Sequence, residues 1–219
     1  WIANRCIGCD TCLTTCPHHA LTKGPSGIER DRAACLMCGE CVWACPSGAM
    51  EMLGEEATID GLVSELAKDR AFFEKSGGGV TLSGGEPSLQ PAFTLALIKA
   101  LKQAGLSVAL DTCGLCPPDT LESLIADVDI VLFDLKLIDE QEHEKWTGVS
   151  NIRILHNLQV VKRCIDQSSS LKRLWIRTPL IPHATDGREN IQGIGRHLAE
   201  SIDGTVDRWE LCAFNNLCR

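Results

Sequence analysis

Eight cysteines crowd into the first 45 residues in two runs of identical spacing: Cys6, Cys9, Cys12 and Cys16 before Pro17, then Cys35, Cys38, Cys41 and Cys45 before Pro46. Each run reads C-x2-C-x2-C-x3-C-P, which suits a pair of [4Fe-4S] cubanes. Three thiolates two residues apart wrap the corners of one cubane. The fourth, turned away by its proline, reaches the neighbouring cluster. The spacing therefore predicts one cluster on Cys6, Cys9, Cys12 and Cys45 and the other on Cys35, Cys38, Cys41 and Cys16. A zinc ribbon needs two cysteine pairs rather than eight thiols, and a disulfide framework belongs to secreted chains, which nothing here resembles. Such a segment can be short and turn-rich, because metal binding supplies its folding free energy.

The remaining length settles the organisation. At 219 residues and 44% hydrophobic content, the chain can bury the core of one large domain and carry a small one beside it. We expect a ferredoxin-like 2[4Fe-4S] domain over residues 1–54 and an α/β domain over 55–219. The formal net charge of -8 is deepened by roughly 4 when two oxidised clusters are added. That balance argues against nucleic acid and anionic membranes, and suits an electron-transfer partner with a basic patch. No apolar run approaches a membrane span and none opens the chain as a signal peptide would, so the expected setting is soluble, reducing and cytoplasmic, with no membrane partner. Thirteen cysteines in all leave Cys113, Cys116, Cys164, Cys212 and Cys218 outside the runs. They are odd in number and scattered, which is no disulfide framework. Cys113 and Cys116 form a CxxC without a thioredoxin context, read as thiols lining a loop before a redox pair or half a metal site.

Beyond residue 54 apolar periodicity begins. Thr58 can cap a helix with Ile59, Leu62, Val63 and Leu66 on one face, ending near Gly77 to Gly79. Strands are expected at Val80–Leu82, Leu106–Leu110, Ile130–Leu135, Leu174–Ile176 and Val206–Leu211. The helices between them carry Phe93, Leu97 and Leu101, stopped by Gly105; Leu121, Leu124 and Ile125 after Pro117; Ile152, Leu155 and Leu158; and Ile191, Ile194 and Leu198. Five strands separated by helices imply a parallel sheet with right-handed crossovers, as an open doubly wound sheet or a partial barrel. The α/β part starts on a helix with no strand before it, Trp1 is no initiator methionine, and no helix covers the last strand. The chain reads as an interior piece of a longer protein.

In parallel α/β folds ligands bind where strands end. Here the first strand runs into Ser83, Gly84, Gly85, Glu86 and Pro87, the second into Asp111 and Thr112, the third into Asp134 and Lys136, the fourth into Arg177 and the fifth into Asn215. Two glycines let a backbone approach a ligand closely, and Glu86 can accept bonds from an ammonium group. Asp111 and Asp134 can equally pair with Lys136 and Arg177 as a structural ion network. No Walker lysine, GxGxxG or nucleophile elbow is present, which removes nucleotide-phosphate and serine-hydrolase readings.

Taken together, the double cysteine run, DRAFFEKSGGGVTLSGGEPSLQ, LDTCG, FDLK, WTGVSN, IRTPLIP and TDGRENI resemble the activating enzymes of glycyl radical enzymes, within the radical S-adenosylmethionine (SAM) superfamily. The resemblance covers nearly the whole chain. It implies a partial (β/α)6 barrel whose first strand is missing from this chain, with the ferredoxin-like domain inserted between that strand and the first helix. It also implies a third [4Fe-4S] cluster, held by a CxxxCxxC loop after the first strand, where SAM is cleaved. No three cysteines outside the two runs have that spacing, so the loop is expected upstream of Trp1 and this piece alone is expected to be inactive. The C-terminal end of the parent is likewise expected beyond Arg219. By the same resemblance Gly84, Gly85 and Glu86 match the motif that holds the SAM amino group. Asp111, Thr112, Leu132 and Asp134 match positions around a monovalent cation beside the SAM carboxylate. Lys136 and Arg177 contact SAM or shape its pocket, and Asn215 stands where some relatives carry an adenine-contacting histidine. His183 replaces a more usual glycine. The implied activity is reductive cleavage of SAM to a 5'-deoxyadenosyl radical, which takes hydrogen from a backbone glycine of a partner enzyme, with flavodoxin or ferredoxin as electron donor. Two other readings stand beside it: an electron-transfer iron-sulfur module on an inactive barrel, and a radical SAM enzyme acting on a small molecule.

Overall fold

A computed structural model describes residues 1–168 and 173–214 of the chain, which fall into two units, Trp1–Ala57 and Thr58–Arg219. In the first, helices α1 (Thr11–Thr15) and α2 (Glu40–Trp43) are each under two turns, too short to hold themselves. Strands β1 (Leu21–Gly24) and β2 (Gly27–Arg30) form an antiparallel hairpin pairing Leu21 with Arg30. The interior is Cys16, Ala20, Leu21 and Met50, with Cys12, Cys35, Cys41 and Cys45 half-buried around them. Five thiols share this small core with Leu13, Ile28, Ala34 and Val42, and only three of its buried side chains, Ala20, Leu21 and Met50, are not cysteine.

The second unit opens with α3 (Ile59–Leu66), whose Thr58 cap accepts from Gly61 N–H at 3.2 Å. The single helix expected to run on to the glycines is instead broken by a 3-10 turn at Ala67–Asp69, and α4 (Arg70–Ser76) then ends on Gly77 at φ +67°. Five parallel strands follow: β3 (Val80–Leu82), β4 (Val108–Thr112), β5 (Ile130–Asp134), β6 (Arg173–Leu180) and β7 (Val206–Ala213). Between them lie α5 (Pro91–Gln103), α6 (Pro118–Ile125), α7 (Glu140–Thr147), α8 (Ile152–Asp166) and α9 (Arg188–Ser201). The sheet order is β3-β4-β5-β6-β7, without reversal. A doubly wound sheet reverses its order, so that alternative falls. With right-handed crossovers, an unreversed order puts every helix on one face. Strand burial alternates accordingly: Val108, Leu110, Thr112, Val131, Phe133, Leu174, Ile176 and Thr178 are buried against the helices, while Ala109, Asp111, Leu132, Asp134, Trp175 and Arg177 line the other face half-buried.

Several expectations move. Strand β6 spans Arg173–Leu180 rather than Leu174–Ile176, so Arg177 lies inside the strand and not after it. Strand β4 begins at Val108 rather than Leu106, because Leu106 N–H bonds to Leu101 O and closes the C-terminus of α5, with Gly105 at φ +73°. The strand then reaches Thr112, so Asp111 and Thr112 lie within it. Helix α7 was not expected. Only His143 of it is buried, so apolar periodicity is silent, although Asp139 caps it by accepting from Glu142 N–H at 2.9 Å. His183 takes φ +66°, the left-handed region that glycine fills without strain. No helix among the described residues is long and apolar enough to cross a membrane.

After β4 the chain turns back over the ring of Phe133. Gly114 makes this possible at φ +70°, where an added Cβ would lie 2.3 Å from Phe133 Cζ. Phe133 is fully buried and cannot yield. Left-handed strain and a blocked approach together should make Gly114→Ala destabilising by about 2–4 kcal/mol in urea denaturation. A loss under about 0.5 kcal/mol would show that the turn relaxes freely.

Candidate functional site

The cysteines gather in two groups. A cavity of about 230 Å³ is lined by Cys6, Cys9, Cys12 and Cys45, with Ile7, Ile28 and Met50 among its apolar walls. Cys45 lies near enough to Cys9 and Cys12 to act on them electrostatically, and Cys41 feels Cys16, Cys35 and Cys38 in the same way. Cys45 thus lines one cavity with the first three cysteines of the first run, Cys16 acts on Cys41 of the second, and Cys12 feels Cys41 as well. Donors stand ready for sulfur: Thr11 Oγ1 donates to Cys9 Sγ at 3.3 Å, and Ala20 N–H donates to Cys16 Sγ at 3.3 Å. The Met50 N–H, followed by the Ser47 hydroxyl, holds the Cys45 thiol down at about 7, and the Thr11 hydroxyl lowers Cys9. Burial raises Cys12 and Cys41 instead. Among the described residues no three His, Cys, Asp or Glu side chains converge on one point as a single ion would require. Cubane ligands need not, since each thiolate takes a different iron corner.

At the C-terminal end of the parallel sheet the other expected residues come together. Gly84, at φ +120°, and Gly85 lead from β3 with open space around them. Glu86 then folds back across to β4. Its Oε1 accepts from Thr112 Oγ1 at 2.8 Å and Ser88 N–H at 3.1 Å, and its Oε2 from Cys113 N–H at 2.8 Å. Thr112 is buried toward the helices and its Oγ1 also accepts from Gly114 N–H at 3.0 Å. On the other face, Asp111 Oδ2 accepts from Ser83 Oγ and from Arg177 Nη1, each at 2.9 Å. Arg177 Nε lies 3.8 Å from Glu210 Oε2, and Lys136 Nζ lies 3.1 Å from Asp134 Oδ2. Leu132 pairs in register with Asp111, and Asp134 with Arg177. Asn215 lies outside the described residues.

Burial would raise the Glu86 carboxyl, but the Cys113, Thr112 and Ser88 donors outweigh it and hold the group below the ordinary carboxylate range. Glu86 is thus ionised and already bonded within the chain; a carboxylate has further lone pairs for an incoming donor. Burial, then Glu86, pushes the Cys113 thiol up to about 11, and burial raises Cys116. Both stay protonated near neutrality, so this CxxC is a poor nucleophile pair. The sequence reading missed Glu210, which completes the Asp111–Arg177 row from β7. It also missed Asn157, which is fully buried and donates to Gly114 O at 2.7 Å and Cys116 O at 2.8 Å. Glu210 falls on the same strand face as Arg208 and Cys212, a period-two signal; for Asn157 no local pattern exists.

Comparison with known proteins matches residues 5–51 to the 4Fe-4S dicluster domain and residues 44–192 to the Radical SAM superfamily. The chain is 39% identical, over 90% of its own length, to the isethionate sulfite-lyase activating enzyme of Oleidesulfovibrio alaskensis, and spans 64% of that protein. It is 31% identical over 97% of its length to the (2S)-3-sulfopropanediol dehydratase activating enzyme of Klebsiella oxytoca, spanning 67% of it. Among solved structures, a domain of a pyruvate-formate lyase-activating enzyme from Bacteroides vulgatus superimposes with a TM-score of 0.56 at 30% identity, over 64% of this chain and 82% of that one.

The depressed Glu86 carboxyl makes stability depend on pH. Its contribution is full above the unfolded value of about 4.3 and is lost as pH falls through the lower folded value. Urea midpoints measured from pH 7 to pH 3 should therefore fall less steeply in Glu86→Gln than in the unaltered chain. Parallel curves would show that Glu86 gains nothing from its three donors.

Proposed function

We propose, because the chain belongs to the radical SAM superfamily and within it to the activating enzymes of glycyl radical enzymes, that it supplies the ferredoxin-like insert and most of the barrel of such an enzyme. One observation carries the reading. The end of the sheet interleaves charges of both signs, Asp111 with Arg177 and Asp134 with Lys136, beside an open Gly84–Gly85 backbone. SAM presents an ammonium, a carboxylate and a sulfonium on one small skeleton, and a mouth of alternating sign can complement all three. In this reading Gly84, Gly85 and Glu86 receive the amino group, and Lys136 and Arg177 meet the carboxylate or shape its pocket. Asp111, Thr112, Leu132 and Asp134 place a monovalent cation. When bound, the third [4Fe-4S] cluster supplies one electron to the SAM sulfonium, releasing methionine and the 5'-deoxyadenosyl radical that takes hydrogen from a glycine of the partner. The chain's own residues orient SAM, balance its charge and limit water.

The finer architecture follows the same reading. Among the described residues strand β3 pairs only with β4, and a groove of about 430 Å³ runs beside it, lined by Leu62, Leu66, Leu82, Phe93 and Leu97 among others. A strand from upstream of the insert would pair with that edge, making six strands and a partial (β/α)6 barrel, and the loop after it would hold the third cluster. Cys6, Cys9, Cys12 and Cys45 hold one ferredoxin-type cluster, and Cys35, Cys38, Cys41 and Cys16 the other. The cavity that Cys45 lines with Cys6, Cys9 and Cys12, and the effect of Cys16 on Cys41, support the crossed sets. The partner is a glycyl radical enzyme, the reductant a flavodoxin or ferredoxin, and the setting the reducing cytoplasm.

Anaerobic reconstitution of this chain should load about 8 Fe and 8 sulfide. Cys45→Ser should damage the cluster of the first run and Cys16→Ser that of the second; each change emptying its own run's cluster would refute the crossed sets.

The function is tested in the complete enzyme reduced with dithionite, which should form 5'-deoxyadenosine from SAM, whereas this chain alone should not. Asp134→Asn should weaken SAM binding at least tenfold while costing under about 1 kcal/mol of stability, since the Asp134–Lys136 pair is partly exposed and such ion pairs stabilise little. Loss of stability in proportion to loss of binding would assign Asp134 to the fold instead.

A further inference from the structure

We infer that Asn151 and Asn190 are positioning residues for Lys136, fixing the backbone from which its ammonium reaches into the mouth of the sheet; this rests on the proposed SAM site. Where β5 ends, the chain leaves the sheet and its polar backbone groups lose their ladder partners. Leu135 remains tied to β6, its N–H donating to Arg177 O and its carbonyl accepting from Thr178 Oγ1. From Lys136 onward the partners are two asparagine side chains. Asn190 Nδ2 donates to Lys136 O at 3.0 Å, and Asn190 Oδ1 accepts from Ile138 N–H at 3.0 Å. Asn151 Nδ2 donates to Leu137 O at 3.1 Å and Ile138 O at 2.9 Å. The clasp is also packed shut: a Cβ on Gly193, one turn along α9 from Asn190, would lie 2.7 Å from Ile138 Cγ2.

The position of Asn151 shows what this side chain is used for. It is the N-cap of α8, where asparagine ordinarily accepts from the helix's first N–H groups. Here its side chain makes no cap bond. It is 1% exposed and turned to the β5 loop. Asn190 likewise spends its second Nδ2 bond on Thr185 O at 2.9 Å, tying the β5 loop to the turn after β6. The loops that follow two neighbouring strands are thus locked to each other through one residue. Lys136 has a long flexible stem, and its ammonium meets Asp134 at 3.1 Å only while its Cα is held on the correct side of the strand end. Asn190 bonds the Lys136 carbonyl itself, and Asn151 holds the two residues that follow.

The test is a double-mutant cycle on SAM affinity in the complete, reconstituted enzyme, read by calorimetry beside thermal midpoints. Lys136→Ala should weaken SAM binding about tenfold or more, and Asn190→Ala alone about three- to tenfold. In the Lys136→Ala background, Asn190→Ala should leave SAM affinity unchanged within about twofold while lowering the thermal midpoint as much as before. Asn151→Ala provides the same cycle should Asn190→Ala fail to fold. Equal losses of affinity in both backgrounds would overturn the inference and leave the SAM site standing, as would a lowered midpoint with unchanged affinity in the single variant. No effect of Lys136→Ala on SAM would remove Lys136 from the site and the inference with it.

Discussion

A single carboxylate joins the ends of two strands, and the geometry of the mouth depends on it. Glu86 follows β3, yet all three of its hydrogen bonds secure the start of its own 3-10 turn or the exit of β4. Glycines at 84 and 85 give the loop freedom, and a loop with that freedom costs entropy to order. The bonds of Glu86 remove it. They reach further through Gly114 and Cys116, whose carbonyls are held by the buried amide of Asn157. The path from α8 to the Gly84–Gly85 backbone therefore runs through hydrogen bonds that are half-buried or buried, where each is harder to replace with water.

The charges beyond that brace have a different character. The side chains of Asp111, Asp134, Lys136 and Arg177 are between 19% and 34% exposed. Ion pairs in such surroundings add little net stability, because desolvation offsets much of their attraction. They cluster on the sheet face away from the helices, where an apolar layer would bury more. A row of paired charges there makes physical sense as a receptor for a ligand that itself carries both signs, which is how the proposed function uses it.

Much of the α/β part was legible because it is built from local signals. Apolar runs of three to five residues, a threonine cap and glycine stops placed the strands and most helices close to where they lie. Where reading and structure part, a nonlocal or polar signal is responsible. Leu106 is apolar and looks like strand, but closing α5 takes its N–H. Helix α7 carries almost no buried face and announces itself only through Asp139 and Glu142. At the mouth, the grouping of Asp111, Asp134, Lys136 and Arg177 could be read, although Asp111 and Arg177 lie within their strands rather than after them, and so could the possibility that they pair. Which pairs form could not, because Asp111 meets an arginine 66 residues away. The segments WTGVSN and TDGRENI, which carry Asn151 and Asn190, stood out, but the role of the asparagines was not legible for a related reason: Asn151 sits at a helix cap, where its residue type is ordinary, and only the fold reveals that its amide serves the neighbouring loop.

The central claim is that this chain is part of an enzyme that places a radical on a protein glycine. Electron spin resonance of a glycyl radical enzyme incubated with the complete, reduced enzyme and SAM tests it most directly. The account predicts a glycine-centred doublet that requires SAM, grows with time and is lost when the partner's radical-bearing glycine is replaced by alanine. SAM cleavage that proceeds with a small molecule consumed and no doublet on any such protein partner would contradict it.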